Sequence, residues 1–389
     1  MPWKERKIEQ ERLRFVALWT AGDRSKSELC RSFGVSRKTG YELMARYEAM
    51  GLDGLRDGSR RPQTHPNATS AEIVERIVAA RRMYPSWGGR KLRGLLRRAD
   101  SSVAWPARST FDAILDREGF VLHRHSRRRA LGAEHRPCVQ ANATNDSWSV
   151  DFKGWFRVGD GTRCDPLTLT DNFSRYLLLC KAVAAPRFEP VKTALESVMR
   201  EHGLPRALRS DNGPPFAGNG LAGLSRLAVW LVKLGIRPDF IEPGKPQQNG
   251  RHERMHRTLK AETAKPPCAT VTEQQRAFDR FRHIYNDLRP HQALDDRTPA
   301  DLFVSSPRAL PRKLPRVVYD AGVETRSVRS NGCMKWKGKH LFLSETLAGE
   351  RVSLTPLADD IWLLRFSFVD LAILDGFHGR LHPAGWSRT

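Results

Sequence analysis

The sequence has 389 residues, enough for several domains that each bury a hydrophobic core. It contains 66 Lys and Arg residues against 43 Asp and Glu residues, a formal net charge of +23, and 50 of the basic residues are arginine. This excess favours a polyanionic partner, because the planar guanidinium group binds phosphate through paired hydrogen bonds. A GC-rich genome would produce the same arginine bias. Residues 1–140 carry 29 basic and 16 acidic side chains, so the front of the chain is predicted to bind nucleic acid.

Several classes of protein are excluded. The six cysteines are scattered without a Cys-x-x-Cys pair, which indicates reduced thiols and excludes a disulfide-stapled fold or a zinc ribbon. No apolar run approaches the roughly 18–20 residues that cross a bilayer, and the charged N-terminus lacks a signal-peptide core. We therefore expect a cytoplasmic protein without a membrane partner. The sequence has no Gly-x-x-x-x-Gly-Lys-Ser/Thr loop, so ATP is not expected to drive its reaction.

Residues 1–56 are predicted to form a helix-turn-helix domain. A helix at 10–20 precedes a short helix at 27–33, a turn at Gly34 and a helix that Ser36 caps and that runs to Tyr47. The apolar stripe of the first helix comprises Leu13, Val16, Ala17 and Leu18, and the remaining core comprises Leu29, Phe33, Val35, Tyr41 and Leu43. The last helix is expected to contact DNA through Arg37, Lys38 and Thr39. A three-helix module that binds protein would show the same pattern.

A second helical domain is predicted at residues 69–122, after a linker at 57–68. Ser70 caps a helix through Met83, and two more helices begin near Trp87 and at Ser109. A basic linker at 123–141 follows, and such a run is either solvated or tracks DNA. The linker contains His123, His125, His135 and Cys138. It has no paired cysteines, so incidental imidazoles are favoured over a zinc site.

Residues 142–304 alternate strands and helices in the order β-β-β-α-β-α-β-α. The segment Trp148–Phe156 is predicted to be a strand with one buried face and Asp151 on the other, and Asp160-Gly161 is a hairpin turn. Further strands are predicted at 167–170, 176–183, 207–210 and 240–241, and helices at 191–203, at 223–234 and from a cap at Asn249.

Three acidic residues lie where these elements begin or end. Asp151 lies on the first strand, Asp211 follows the strand that ends at Ser210, and Glu253 lies in the first turn of a helix. Taken singly, Ser-Asp-Asn-Gly is an ordinary turn, and a glutamate at a helix start balances the helix dipole. Hard oxygen ligands that converge from separate elements are, however, what a pair of divalent metal ions requires.

The three acidic settings, together with the run Tyr285–Leu294 and Thr298-Pro299, resemble the retroviral-integrase type of DDE transposase found in bacterial insertion sequences. The resemblance implies an α/β RNase H-like core that cleaves DNA at element ends and transfers the strands into target DNA. It implies that Asp151, Asp211 and Glu253 are catalytic and hold two Mg²⁺ ions, for which Mn²⁺ substitutes. It also implies a bacterial, nucleoid-associated protein that binds double-stranded DNA, both terminal repeats and target, as at least a dimer. The segment from Asp211 to Glu253 is longer than the family pattern, which leaves its loop geometry open.

Around this core the sequence suggests further contacts. His256, Arg257 and Lys260 fall on the same helical face as Glu253 and are expected to hold substrate phosphates. After a linker at 305–316, residues 317–375 contain short β-like runs that resemble a small SH3-like barrel. This β domain is expected either to touch DNA or to serve packing or dimerisation.

The alternative function is a DNA-binding regulator derived from a transposase with an inactive core. A tyrosine recombinase is set aside, because the single His-x-x-Arg spacing, His125–Arg128, lies in the basic linker and the last tyrosine is Tyr319.

Overall fold

The computed structural model describes residues 8–58, 68–121, 140–218, 220–242 and 249–384. The chain divides into two compact units, Met1–Thr69 and Ser70–Thr389. The predictions on the basic linker, including those for His123, His125, His135 and Cys138, fall outside the described residues. Within the described ranges, no helix has both the length and the apolar character needed to cross a membrane.

The first unit is a bundle of three helices, as predicted. The helices are α1 (Ile8–Ala21), α2 (Lys26–Ser32) and α3 (Arg37–Met50). Ser36 caps α3 by accepting a hydrogen bond from the backbone N–H of Thr39, at 3.1 Å. The core contains Phe15, Val16, Leu29 and Leu43.

Three residues predicted for this core, Leu13, Ala17 and Tyr41, are instead exposed. Leu13 and Tyr41 each keep 45% of their surface accessible, whereas Phe15, absent from the prediction, is completely buried. The buried face of α1 is the one that carries Phe15 and Val16, and Leu13 lies on a different face of the helix. Tyr41 packs edge-on against Trp19, with ring centroids 5.0 Å apart, and so covers the core from its rim.

The second unit begins with three helices, α4 (Ala71–Met83), α5 (Gly89–Ala99) and α6 (Arg108–Arg117). Ser70 caps α4 as predicted, through a hydrogen bond from the N–H of Ile73 at 3.4 Å. The buried residues that hold these helices together include Ile77, Trp87, Leu92 and Phe111. Ile284 and Leu288 pack against the same cluster, so the helices share apolar contacts with the following domain.

The centre of the second unit is a mixed six-stranded sheet. Its strands lie side by side in the order β4, β3, β1, β5, β6, and β2 pairs with the beginning of β3. The β3 strand is antiparallel to β1 and β4, whereas β5 is parallel to β1 and β6. This arrangement confirms the predicted RNase H-like order. The strands are β1 (Ser147–Phe152), β2 (Phe156–Arg157), β3 (Arg163–Asp171), β4 (Leu177–Val183), β5 (Ala207–Ser210) and β6 (Arg237–Phe240).

Helices cover both faces of this sheet. The residues of α7 (Phe188–His202) and α8 (Arg226–Lys233) share one apolar core with the sheet, and those of α9 (Gly250–Thr263) and α10 (Val271–His283) share another. The prediction that β1 has a single buried face is therefore wrong. Ser149 is only 1% exposed, and its hydroxyl donates to the Oδ1 atom of Asn172 at 2.9 Å. A sheet that is covered on both sides buries polar positions only when they are hydrogen-bonded in this way.

The chain ends in an antiparallel β region. Five strands lie in the order β13, β12, β11, β10, β7, and β8 and β9 form a separate hairpin. The core of this region includes Ala228, Val229 and Val232 of α8, so the region packs directly on a helix of the preceding domain. The strands are β7 (Glu324–Ser327), β8 (Cys333–Trp336), β9 (Lys339–Phe342), β10 (Arg351–Ala358), β11 (Ile361–Phe366), β12 (Val369–Asp375) and β13 (Arg380–His382).

Candidate active site

The register of two parallel strands places Asp151 beside Asp211. β1 and β5 pair so that Ser149 lies opposite Arg209. Asp151 lies two residues beyond Ser149, and Asp211 lies two residues beyond Arg209. A step of two residues returns to the same face of a strand, so Asp151 and Asp211 are level with each other. Neighbouring strands lie about 4.8 Å apart. The two carboxylates therefore share one edge of the sheet, where both parallel strands end.

A tight turn orients the carboxylate of Asp211. The backbone N–H of Gly213 donates to the Oδ1 atom of Asp211 at 3.2 Å, and a Cβ atom at Gly213 would lie 3.3 Å from Oδ2. The side chain of Asn212 donates to the carbonyl of Ile241 at 2.7 Å and so ties the turn to the chain beyond β6. Asn212 therefore has a local structural partner.

Glu253 reaches the site from the first turn of α9. Its side chain is exposed, and the helix begins at Gly250. Asn249 occupies the N-cap position, as expected, but its buried side chain makes no capping hydrogen bond. Residues 243–248, which lead into this helix, lie outside the described ranges.

The carboxylates of Asp211 and Glu253 act electrostatically on that of Asp151. The pKa of Asp151 is raised to about 7, chiefly because its carboxyl group is buried and next because of the negative charge of Asp211. The charge of Glu253 raises the same pKa further, whereas the backbone N–H of Phe152 and the charge of Lys153 lower it. Negative charge is thus concentrated at this edge of the sheet without full compensation. A group of carboxylate oxygens in this condition fits hard divalent cations.

Two buried histidines lie beneath the carboxylates. The Oγ1 atom of Thr168 lies 2.7 Å from Nε2 of His252 and 2.6 Å from Nε2 of His256, and Thr170 Oγ1 lies 2.9 Å from Nδ1 of His252. Burial lowers the pKa of His252 to about 3 and, with the proximity of His252, that of His256 to about 2. Both imidazoles are therefore neutral at physiological pH.

The expectation that His256 would present a charge to substrate phosphates is therefore wrong. Its side chain turns inward from α9 towards β3, where Thr168 takes up its Nε2 atom. His252 was missed by the sequence analysis. Its spacing of four residues from His256, together with two threonines two residues apart on a strand, is the signal that could have indicated this pairing.

The histidines and Asp151 also have the spacing of a metal site. In the described part of the chain, Asp151, His252 and His256 form a group whose ligand atoms all lie within 4.8 Å of one another. Both ring nitrogens of His252 are already within hydrogen-bond distance of threonine hydroxyls, and so is Nε2 of His256. Only Nδ1 of His256 faces a carboxylate, at 3.8 Å from Oδ2 of Asp151. Most ligand atoms of this group are thus already engaged in hydrogen bonds.

A basic groove borders Glu253. We use this name for a cavity of about 350 Å³ lined by Lys153, Glu253, His256, Arg257, Lys260, Ala261 and Lys265. Arg257 and Lys260 are exposed and lie one and two turns along α9 from Glu253, as their spacing predicts. Lys153 and Lys265 add charge from two other segments. The groove is therefore a cationic surface that leads to the carboxylates.

The run Tyr285–His291 supports α9 and the edge of the sheet. Asn286 is buried, and its amide group pairs with both the N–H and the carbonyl of Leu177 in β4, at 2.8 and 3.0 Å. Arg289 lies 3.4 Å from the Oε1 atom of Glu262 and 3.4 Å from the hydroxyl of Thr258, both near the end of α9. These contacts anchor the helix that carries Glu253.

The other predicted DNA contacts lie in the first unit, on a different part of the chain. Arg37, Lys38 and Thr39 occupy the first turn of α3, and all three are exposed. Lys38 forms a loose pair with Glu42 at 3.9 Å, and the Thr39 hydroxyl lies 2.8 Å from that of Ser36. The N-terminal end of α3 is thus open to solvent.

Four stretches of the chain match known domain families. Residues 141–246 and 234–299 match integrase core domains, residues 11–63 match a helix-turn-helix domain, and residues 39–115 match a homeodomain-like domain. The matches identify residues 141–299 as an integrase core, preceded by helix-turn-helix domains. Both kinds of domain indicate that the chain binds DNA.

Two similar curated proteins are products of insertion elements. The uncharacterized 31.7 kDa protein of insertion element IS407, from Burkholderia multivorans, is 26% identical over 73% of this chain and 92% of its own length. The uncharacterized 39.2 kDa protein of IS476, from Xanthomonas euvesicatoria, is 26% identical over 68% of this chain and 74% of its own length. A chain of the simian T-cell lymphotropic virus intasome in complex with PP2A regulatory subunit B56 gamma aligns with 79% of this chain and 95% of its own length, at 16% identity and a TM-score of 0.38.

Proposed function

We propose that this chain is a transposase that cleaves DNA at the ends of its element and joins the freed ends to target DNA, with Asp151, Asp211 and Glu253 as the catalytic residues. The observation that carries the proposal is that the charges of Asp211 and Glu253 both raise the pKa of Asp151. The three side chains come from separate elements, β1, the turn after β5 and α9. Carboxylates from separate elements that influence Asp151 in this way support a shared role.

The three carboxylates would hold two Mg²⁺ ions, or Mn²⁺ in their place. When bound, such ions would supply an activated water or DNA 3′-hydroxyl and would stabilise the leaving oxygen of the phosphodiester. The three side chains would provide the ligands. The turn at Gly213 holds the carboxylate of Asp211, and the contacts of Arg289 anchor α9 and therefore Glu253.

The substrate backbone would lie along the basic groove. Lys153, Arg257, Lys260 and Lys265 border Glu253 on this side and can pair with consecutive phosphates.

Recognition of the terminal repeats would fall to the helical domains at 1–56 and 69–122, with Arg37, Lys38 and Thr39 as contacts from α3. The catalytic domain would comprise residues 142–304, and the β domain residues 317–375. Because two element ends react together, the working form would be at least a dimer.

The test is strand transfer of a labelled, pre-cut element end into plasmid DNA. We expect Asp151→Asn, Asp211→Asn and Glu253→Gln each to reduce the rate by more than about a hundredfold, since ligands of one metal pair act as a unit. End binding should be retained in each variant.

The matched control is Glu189→Gln. Glu189 is likewise an exposed glutamate in the first turn of a core helix, but it lies on α7. Its variant should keep full activity. Wild-type activity in Glu253→Gln, or undiminished activity in EDTA, would refute the assignment. A wild-type protein that binds ends but never cuts them would instead identify a DNA-binding regulator with an inactive core.

A further inference from the structure

A second concentration of positive charge lies away from the carboxylates. We call it the arginine cleft, a cavity of about 520 Å³ between α5, the start of α6 and the turn at residues 295–297. Its walls carry Arg90, Arg93, Arg97, Arg98, Arg108 and Arg297. Asp295 and Asp296 are the acidic residues of its lining, so the excess of positive charge is large. The arginine cleft shares no lining residue with the basic groove.

Three of these arginines form a row along one face of α5. Arg90, Arg93 and Arg97 follow one another at spacings of three and four residues. With a rise of 1.5 Å per residue, the row is about 10 Å long. That length corresponds to roughly three phosphates of one DNA strand, which succeed one another every 3.4 Å along the duplex axis.

Half of these guanidinium groups are paired with acidic residues: Arg90 with Asp296, Arg98 with Asp301 and Arg108 with Asp112. Arg93 keeps its charge, because it donates through Nε to the carbonyl of Pro106 at 2.8 Å, a contact that orients the group but neutralises nothing. Arg97 is exposed, and no acidic residue in the described part of the chain forms an ion pair with it. The cleft thus offers oriented N–H donors and uncompensated charge, which suits phosphate oxygens.

The two walls of the cleft are brought together by a glycine. A Cβ atom at Gly94 would lie 2.8 Å from Cγ of Pro290, so only glycine allows α5 to approach the Arg289-Pro290 segment this closely. Arg98 also pairs with Asp301, on the chain just beyond the opposite wall. The helices that follow the first linker and the catalytic domain therefore build the cleft jointly.

We propose that the arginine cleft binds the phosphate backbone of duplex DNA and thereby holds one DNA molecule against both the second helical domain and the catalytic domain. The proposal rests on the proposed function only in that the duplex is taken to be the substrate of the carboxylates. Backbone contacts of this kind fix the position of DNA and carry no base specificity.

The experiment measures how the affinity of the full-length protein for a labelled duplex depends on salt, in EDTA so that no chemistry occurs. Arg97→Gln and Arg297→Gln each remove one charge from one wall. Each substitution should lower the slope of log affinity against log salt concentration by about 0.9, and the double variant by about twice that. The control is Arg82→Gln/Arg117→Gln, which removes two exposed charges of the same helical domain outside the cleft and should change the slope much less.

A variant that is expected to bind DNA more tightly excludes misfolding as the cause of the changes in affinity. Asp295 is exposed in the cleft and has a φ of 54°, a conformation that asparagine also tolerates. Asp295→Asn removes a negative charge, so we expect it to tighten DNA binding by about two- to fivefold at low salt and to lose this advantage at high salt.

The outcomes separate the two proposals. Binding by the wild type with an unchanged slope in the double variant overturns the arginine cleft alone. No DNA binding by the wild type overturns both proposals. A lowered slope in a protein that lacks strand transfer supports the cleft and overturns the proposed catalysis.

Discussion

At the scale of single residues, the site is defined by an ionisable group in an unfavourable environment. The pKa of Asp151 is raised to about 7 because the carboxyl group is buried and faces the charges of Asp211 and Glu253. A carboxyl group whose pKa is higher in the folded than in the unfolded protein stabilises the folded state at low pH. This contribution is fully present below the pKa of the unfolded chain, near 4, and is lost as the pH rises to about 7. Above about pH 7 the folded protein therefore carries the negative charge of Asp151 at a cost in stability.

We predict that Asp151→Asn stabilises the metal-free protein at pH 8. The gain in the free energy of unfolding is at most about 4 kcal/mol, from a shift of roughly three pKa units. It should shrink as the pH falls from 7 to 4, because the wild-type group becomes protonated. Melting temperatures in EDTA across this range check the prediction. Asp359→Asn, at an exposed turn, serves as control and should show no such trend.

A second residue-scale prediction concerns Gly213→Ala. The added Cβ atom would lie 3.3 Å from Oδ2 of Asp211, so the carboxylate must shift by a few tenths of an ångström. A displaced ligand binds metal less tightly, and we expect the Mg²⁺ concentration for half-maximal strand transfer to rise about tenfold. The control is Gly88→Ala, where a Cβ atom would meet nothing within 4 Å. An unchanged Mg²⁺ requirement would argue against Asp211 as a ligand.

At the scale of elements, α9 presents different side chains to solvent and to the sheet. One face presents Glu253, Arg257 and Lys260, whereas His252 and His256 turn inward to the threonines of β3. The last turns of α9 are fixed by Arg289, and the same run fixes β4 through Asn286. The run at 285–291 therefore sets the position of the helix that carries Glu253.

We predict that Asn286→Ala lowers the free energy of unfolding by about 2–3 kcal/mol, because it leaves a buried N–H and a buried carbonyl of Leu177 without partners. Urea denaturation followed by circular dichroism measures the change. Asn331→Ala removes a comparable contact at an exposed turn, to the N–H of Cys333 at 3.2 Å, and should cost less than about 1 kcal/mol. Equal losses in the two variants would contradict the anchoring role.

At the scale of the whole second unit, the helices at 71–117 and the catalytic domain are one packed assembly. Ser86 donates to Glu262 of α9 at 2.5 Å, Arg90 pairs with Asp296 at 2.8 Å, and Arg98 pairs with Asp301. Each exposed ion pair by itself contributes little to the free energy of folding. The close approach of α5 to Pro290 at Gly94 is therefore the contact that matters most for this joint.

We predict that Gly94→Val separates α5 from Pro290 and costs about 1–3 kcal/mol of stability, as overpacking generally does. The same change should weaken duplex binding, because the walls of the arginine cleft move apart. Binding and melting temperature are measured on the same preparation. The comparison is Gly58→Val, an open position in the first unit, which should alter neither. A lower melting temperature with unaltered duplex binding would show that the contact between α5 and Pro290 does not determine the shape of the arginine cleft.

The sequence by itself determined the structural features that depend on residues close together in the chain. The caps Ser36 and Ser70, the strand Ala207–Ser210 and the turn that follows it lie as predicted, because capping and turn chemistry act over three or four residues. The order of strands and helices in the catalytic domain also followed from periodicity. Asp151, Asp211 and Glu253 were named as candidate site residues from their local settings, and the charges of Asp211 and Glu253 both influence Asp151.

Only the tertiary structure decided which side chains are buried and which distant segments meet. The inward turn of His256, the burial of Ser149 and the exposure of Leu13 depend on what packs against each element. Most of the strand Val369–Asp375 is buried, so its sequence lacks the alternation that marks a half-exposed strand. The arginine cleft joins side chains some 200 positions apart, from Arg97 to Arg297. Short-range preferences cannot encode such contacts, because burial and long-range electrostatics arise only when the chain has folded.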